Sequence, residues 1–267
     1  MRTLPALFVF TLLIAACKND APAGTDKETG VTYAEKNPLQ LAGQWINIDF
    51  CSRANQYGSV LQTQQNSHKP YAYAYEFFPA ITDSVVCYDG EKAWTLPVSI
   101  KADTVEVIGA HEGKSVYLVY NSAGQKDITV FDATSGRVKM DRYIKSNAQA
   151  RNGNGAFAIA LNHQLFNGFM IPAGSKDTVR FTAGGGILNW APYDRFRVCA
   201  GGSCLYAGND ADIILLSNSK KEEPEKPFAF RYNVQRDSLY LYNIKPVEGG
   251  QAPVGSVAYR FRRQPAM

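Results

Sequence analysis

The chain has 267 residues, 45% of them hydrophobic and 19% charged, which excludes a disordered chain, poorer in apolar side chains and richer in charge. Its 28 basic and 24 acidic residues leave +4, too mild a charge to mark a nucleic-acid binder. Its 22 glycines and 13 prolines are near average, which excludes collagen-like and low-complexity chains. The length allows one large all-β domain or two smaller ones.

The chain begins with Arg2 and an apolar run from Leu4 to Ala16. That run is too short for a membrane span, which needs about 20 residues, and residues 1–16 read as a secretory signal. It ends in Leu13-Ile14-Ala15-Ala16-Cys17, which resembles the lipobox of bacterial lipoproteins. The resemblance implies cleavage before Cys17, acylation of its thiol and a place on the outer membrane, with either face left open. Each buried acyl CH₂ would contribute about 0.8 kcal/mol to such an anchor. Lys18-Asn19-Asp20 is partly similar to the lysine-plus-acidic signal of surface-exposed Bacteroidetes lipoproteins, with Asn19 departing from it. Residues 17–38 are polar and turn-rich and read as a flexible tether with a reach of about 25 Å.

From residue 39 onward the pattern is that of strands. Val116-Tyr117-Leu118-Val119-Tyr120, Ile213-Ile214-Leu215-Leu216, Phe228-Ala229-Phe230-Arg231-Tyr232 and Leu239-Tyr240-Leu241-Tyr242 are β-branched or aromatic. Asp, Gly, Asn and Pro punctuate them at a spacing of roughly 8–12 residues, as in a sandwich or barrel. Only Ser146–Ala150 shows helical propensity. Beyond Cys17, the cysteines are Cys51, Cys87, Cys199 and Cys204. In an oxidising compartment their even number favours disulfides. Cys199 and Cys204 flank a Gly-Gly turn that suits a local bridge, which leaves Cys51 with Cys87.

Several segments recur in the same order. Phe78–Val85 matches Ile171–Val179, Ala102–Val105 matches Ala211–Ile214, and Tyr117–Asn121 matches Ala229–Asn233. Lys126–Val130 then matches Arg236–Tyr240, and Arg142–Lys145 matches Arg260–Arg263. The pattern predicts an internal duplication, with units at 39–147 and 155–265. The repeated aspartates, Asp103, Asp127, Asp212 and Asp237 among them, read as turn residues.

Leu41-Ala42-Gly43-Gln44-Trp45 before a β-rich unit, with Arg142-Tyr143 or Arg260-Phe261-Arg262 near its end, resembles the small lipocalin-like domains of bacterial lipoproteins. The resemblance implies an all-β fold of two tandem antiparallel barrels or half-barrels, with one large β-sandwich as the alternative. It also implies closure by Gly43 and Trp45, with a basic residue of the last strand, Arg142 or Arg260, covering the indole. In the second unit Phe157 or Phe169 would take the place of the tryptophan.

No nucleophile, metal-ligand or nucleotide motif stands in the sequence, so neither enzyme activity nor a metal or cofactor is expected. His68, His111 and His163 are far apart in sequence and read as surface residues. Tyr71-Ala72-Tyr73-Ala74-Tyr75 would put three tyrosines on one strand face, either as a packed ladder or as a platform for a glycan or another flat apolar ligand, with Trp190 extending it from a loop. The expected function is a non-enzymatic envelope lipoprotein, joined to the membrane through Cys17, that binds a small ligand or an envelope protein partner. The alternative is a structural or assembly component without a small-molecule ligand. A roomy barrel interior would favour the ligand, and filled barrels with an exposed apolar patch would favour the partner protein.

Overall fold

The computed structural model describes residues 40–79, 83–123, 126–132, 138–166, 168–201, 211–221, 223–233, 237–244 and 254–264. Cys17, Cys204 and the stretches read above as a secretory signal and a tether lie outside them. The first unit runs β1 (Gly43–Asn47), α1 (Ile48–Tyr57), α2 (Val60–Asn66), β2 (Ala74–Phe77), β3 (Ser84–Tyr88), β4 (Ala93–Lys101), β5 (Thr104–His111), β6 (Lys114–Asn121), β7 (Asp127–Phe131) and β8 (Lys139–Lys145). Each strand pairs antiparallel with the next, and β8 returns to β1 with Lys145 opposite Trp45, so the eight strands close a barrel. Closure removes the open edges of a sheet. The period-two pattern places Val116, Leu118 and Tyr120 of β6 inside.

The second unit runs α3 (Gly153–Leu165), β9 (Gly168–Pro172), β10 (Val179–Phe181), β11 (Ile187–Leu188), β12 (Arg195–Val198), β13 (Asp212–Ser217), β14 (Lys226–Asn233), β15 (Ser238–Ile244) and β16 (Val254–Arg263). Its strands follow the same up-and-down order, and β16 returns to β9. The circle is open between β11 and β12. There a single Gly186–Arg195 bridge spans the seam, with the Ile187 N–H donating to the Asp194 carbonyl at 2.8 Å and the Phe196 N–H to the Gly185 carbonyl at 2.8 Å. The fold is therefore all-β, a closed barrel followed by an eight-stranded half-barrel of the same topology.

Strand pairing sets the register between the two units. Tyr143 and Phe261 face Asn47 and Pro172 respectively, so Gly43 corresponds to Gly168 and Trp45 to Met170. Both glycines have positive φ, 119° and 143°, a conformation that disfavours side chains. Four of the five recurring segments fall on corresponding strands or turns. The first pair does not, because Phe78–Val85 joins β2 to β3 whereas Ile171–Val179 joins β9 to β10. The tryptophan's counterpart is thus Met170, and Phe157 instead packs between the units, stacked on Tyr73 with ring centres 4.6 Å apart.

Among the described residues, three helices stand where the sequence suggested none, and Ser146–Ala150 is not helical. Their ends carry ordinary capping chemistry. The side chains of Asn47, Ser59 and Asn152 accept from the N–H groups of Phe50, Gln62 and Gly155, and Gly58 closes α1 in the left-handed conformation. α3 lies between the outer wall of the first barrel and the second sheet. A single apolar cluster joins Ile46, Ala74 and Tyr88 of that wall to Phe157, Leu161 and Leu165 of α3 and to Phe181, Phe196 and Phe230 of the second unit. Gly153 is required there because a Cβ would overlap the Tyr88 ring.

The expected Cys51–Cys87 disulfide is absent, and both thiols are free and buried. Cys51 faces the cluster between the units, while Cys87 points into the first barrel, so the barrel wall separates them. Burial pushes the Cys51 thiol well above its ordinary range and that of Cys87 up to about 12. Cys199 carries no free thiol, and its expected partner Cys204 lies outside the described residues.

Candidate functional site

The first barrel is filled. Trp45, Tyr75, Tyr143, Leu118 and Ile128 are fully buried inside it. A pocket beside Leu41 and Tyr120, at the end where β1 begins, measures about 20 Å³, room for one water. The Trp45 Nε1–H donates to the Leu41 carbonyl at 2.7 Å. The basic residue nearest the indole is Lys145, with Nζ 6.0 Å from the ring centre. Arg142, expected there, instead turns outward to Asp49, 3.7 Å away. In the second unit Arg260 lies over Tyr240 on the outer face. It is Arg263 that reaches inward, donating to the Leu165 carbonyl at 3.0 Å and covering Tyr232. Lys145 thus takes the place near the indole expected of Arg142, while its counterpart Arg263, opposite Met170, covers Tyr232.

The opposite end of the first barrel carries a buried polar cluster. Asp141 of β8, only 2% exposed in its side chain, takes Arg53 of α1 at 2.8 Å and lies 2.9 Å from His68 Nε2. Asn47 Nδ2 donates to the same carboxylate at 2.9 Å and to the Tyr143 hydroxyl at 3.2 Å, and that hydroxyl donates to the Ala72 carbonyl at 2.5 Å. A buried carboxylate is tolerated when paired and hydrogen-bonded in this way. The cluster fastens α1 and the segment after α2 across the barrel mouth. His68 therefore belongs to a structural network rather than to an isolated surface position. Neither its sequence spacing from Asp141 nor its polar neighbours signalled this. His111 lies against the Tyr71 ring, with centres 4.9 Å apart.

The three tyrosines of Tyr71–Tyr75 do not share a face. The chain bends before β2, and each ring goes to a different place. Tyr75 is buried in the barrel against Tyr143 with ring centres 5.1 Å apart. Tyr73 is buried between the units, and Tyr71 stays half-buried at the mouth, donating to Asp132 at 3.1 Å. Burial and the Asp132 carboxylate raise the Tyr71 hydroxyl to about 12, so the phenol stays neutral. Trp190 borders the same cluster between the units as Tyr73, but its ring partners are other aromatics. It packs in the second unit against Tyr259 and Phe261, with ring centres 4.8 and 5.1 Å away.

The mouth of the first barrel holds a cleft of about 400 Å³ between α2, the segment before β2 and the β3–β4 hairpin. Trp94 and Tyr71 supply flat apolar faces. Gln64, Gln65, Lys69 and Asp89 supply polar groups of every kind. Trp94 stands opposite Cys87 and packs on the barrel core, which holds its ring at the rim. The Gln64 amide is oriented by the Ala200 carbonyl at 3.1 Å and by the Tyr73 hydroxyl. The volume suits a small molecule. Trp94 was passed over in the sequence because β4 alternates and places it among exposed neighbours.

A second, wider cleft of about 750 Å³ lies across α2. Its wall includes Asp212, which accepts from the Leu61 N–H at 2.8 Å and so ties α2 to the second unit. Expected as a turn residue, Asp212 is instead a buried carboxylate, raised above its ordinary range by desolvation. Among the described residues, no group of three or more histidines, cysteines and carboxylates is placed to hold a metal ion, and no helix is long and apolar enough to cross a membrane. No family model, curated protein or solved structure matches this chain.

Proposed function

We propose that the chain is a non-enzymatic lipoprotein of the bacterial cell envelope. It is joined to the outer membrane through Cys17 and binds a small glycan-like ligand in the cleft at the mouth of the first barrel. The filled interior of the first barrel runs against the roomy barrel that would have favoured a ligand, and the observation that carries this reading is instead the open cleft at its mouth, rimmed by Trp94, Tyr71, Gln64 and Gln65. Flat rings offer an apolar face to a sugar ring, and amides with a lysine and a carboxylate offer donors and acceptors to its hydroxyls. The lipobox-like Leu13–Cys17 and the tether that follows support the anchored location.

Native mass spectrometry of the protein extracted from membranes tests both halves. The expected mass is that of a chain starting at acylated Cys17, carrying a small adduct that Trp94→Ala loses. An unprocessed chain contradicts the anchor, and a chain without adduct contradicts the ligand.

A further inference from the structure

We infer that the outer face of β14–β16 docks on an anionic phospholipid surface. This rests on the anchored reading above, since the tether keeps a membrane within reach. Arg231, Tyr240 and Arg260 stand directly opposite one another on three adjacent strands. At the usual strand spacing, the two arginines lie about 10 Å apart. Arg262 follows two residues along β16 and is likewise exposed. The Arg260 guanidinium sits 5.1 Å from the centre of the Tyr240 ring, and that of Arg231 sits 5.6 Å from Tyr242. Tyr240 and Tyr242 stack on each other. Val257, opposite Tyr242, is 43% exposed and adds an apolar point.

Elsewhere on the surface, Arg197 pairs with Glu225 at 2.7 Å and Arg142 with Asp49 at 3.7 Å. Among the described residues, none of Arg231, Arg260 and Arg262 forms an ion pair. Asp237, just before β15, accepts from the Tyr232 hydroxyl at 3.0 Å. Stacking on tyrosine holds a planar guanidinium in place, and its donors match a phosphate in bidentate fashion. Tyrosines settle at the headgroup level, where one end of the ring meets water and the other hydrocarbon. A weak surface is enough, because tethering makes the second contact intramolecular.

The test uses the full lipidated chain in two kinds of vesicle, one of phosphatidylcholine alone and one of phosphatidylcholine and phosphatidylglycerol in equal parts. Arginines are labelled with phenylglyoxal and read by peptide mass spectrometry, with exposed Arg151 as the internal control. The expected result is labelling of Arg231, Arg260 and Arg262 that falls about fivefold in the mixed vesicles, in line with the attraction of a basic residue to an anionic leaflet. High salt should reverse the protection. The double variant Arg231→Gln/Arg260→Gln should lose the protection of Arg262, while Arg231→Lys/Arg260→Lys retains part of it.

Equal labelling in both vesicles, with the chain floating in both, overturns the inference and leaves the anchor standing. Flotation only with phosphatidylglycerol, with the arginines protected, supports the inference and overturns the anchor. A chain that floats with neither overturns both. Stronger protection by a soluble acidic polysaccharide than by the mixed vesicles overturns the lipid as the occupant.

Discussion

The two units share a strand order but differ in how each circle is completed. In the first, Trp45 fills the space below the closing pair and bonds the Leu41 carbonyl, and hydrogen bonds run all the way round. In the second, Met170 takes the corresponding place and the circle is bridged by one residue pair. What the second lacks in closure it gains from neighbours. Phe166, just after α3, packs against Phe181, Phe196 and Phe230 with ring centres 6.3, 5.8 and 5.2 Å away. Its core is also continuous with the outer wall of the first barrel. A barrel with an open seam can therefore persist when a helix and a closed neighbour complete its core.

The largest effect should come from the closing residues. Trp45→Ala should lower unfolding free energy by about 4 kcal/mol, and Met170→Ala by about 2–3 kcal/mol, from the volumes removed. Urea denaturation followed by circular dichroism gives both values. Equal losses would mean that the tryptophan holds no special place in the first barrel.

The seam is the next point of attack. Gly185 has φ of 79°, and an added Cβ would lie 2.7 Å from the Phe196 carbonyl oxygen. Gly185→Ala should cost about 1–3 kcal/mol through backbone strain and displacement of that strand. Amide hydrogen exchange should quicken at Ile187 and Phe196 and stay unchanged in β1 to β8. Faster exchange throughout the first barrel would show that the seam supports both units.

A smaller effect concerns the tie between the units. Burial raises the Asp212 carboxyl in the folded chain above its unfolded value, so the folded state holds this proton more tightly. Stability from this group is greatest below the unfolded value and is lost as pH rises through the folded one. Asp212→Asn keeps a hydrogen-bond acceptor for Leu61 without the charge. Its stability should change less between acid and neutral pH than that of the parent chain, as seen by thermal melts. An identical pH profile would contradict the burial of the charge.

Much of the fold was legible because strands carry their own signature. The alternation in β6 and β14, the turn chemistry and the recurrence of segments on β6, β7, β8 and their counterparts all follow from local rules. The helices were hidden for identifiable reasons. α3 begins with two glycines and is apolar on most sides, so it shows no amphipathic stripe, and Gly153 is there for the Tyr88 ring. The site was less legible. Asp141 meets Arg53 and His68 only because α1 and the segment after α2 fold back over the barrel mouth, a long-range event that spacing does not encode. The tyrosine run misled because a bend before β2 breaks the alternation on which the expectation rested. Lys145 and Arg263 could have been found by aligning Gly43 with Gly168 and counting basic residues at the end of each last strand.

Under the proposed function, the ligand sits at the mouth of the first barrel and not in its filled interior. The three tryptophans stand in three different places: Trp45 in the filled barrel, Trp94 at the cleft and Trp190 in the second unit. Intrinsic fluorescence titrated with envelope glycans, in the parent chain and in Trp94→Phe and Trp190→Phe, separates them. The account predicts a saturable response that Trp190→Phe keeps and Trp94→Phe abolishes. A response that survives Trp94→Phe and disappears with Trp190→Phe would contradict it.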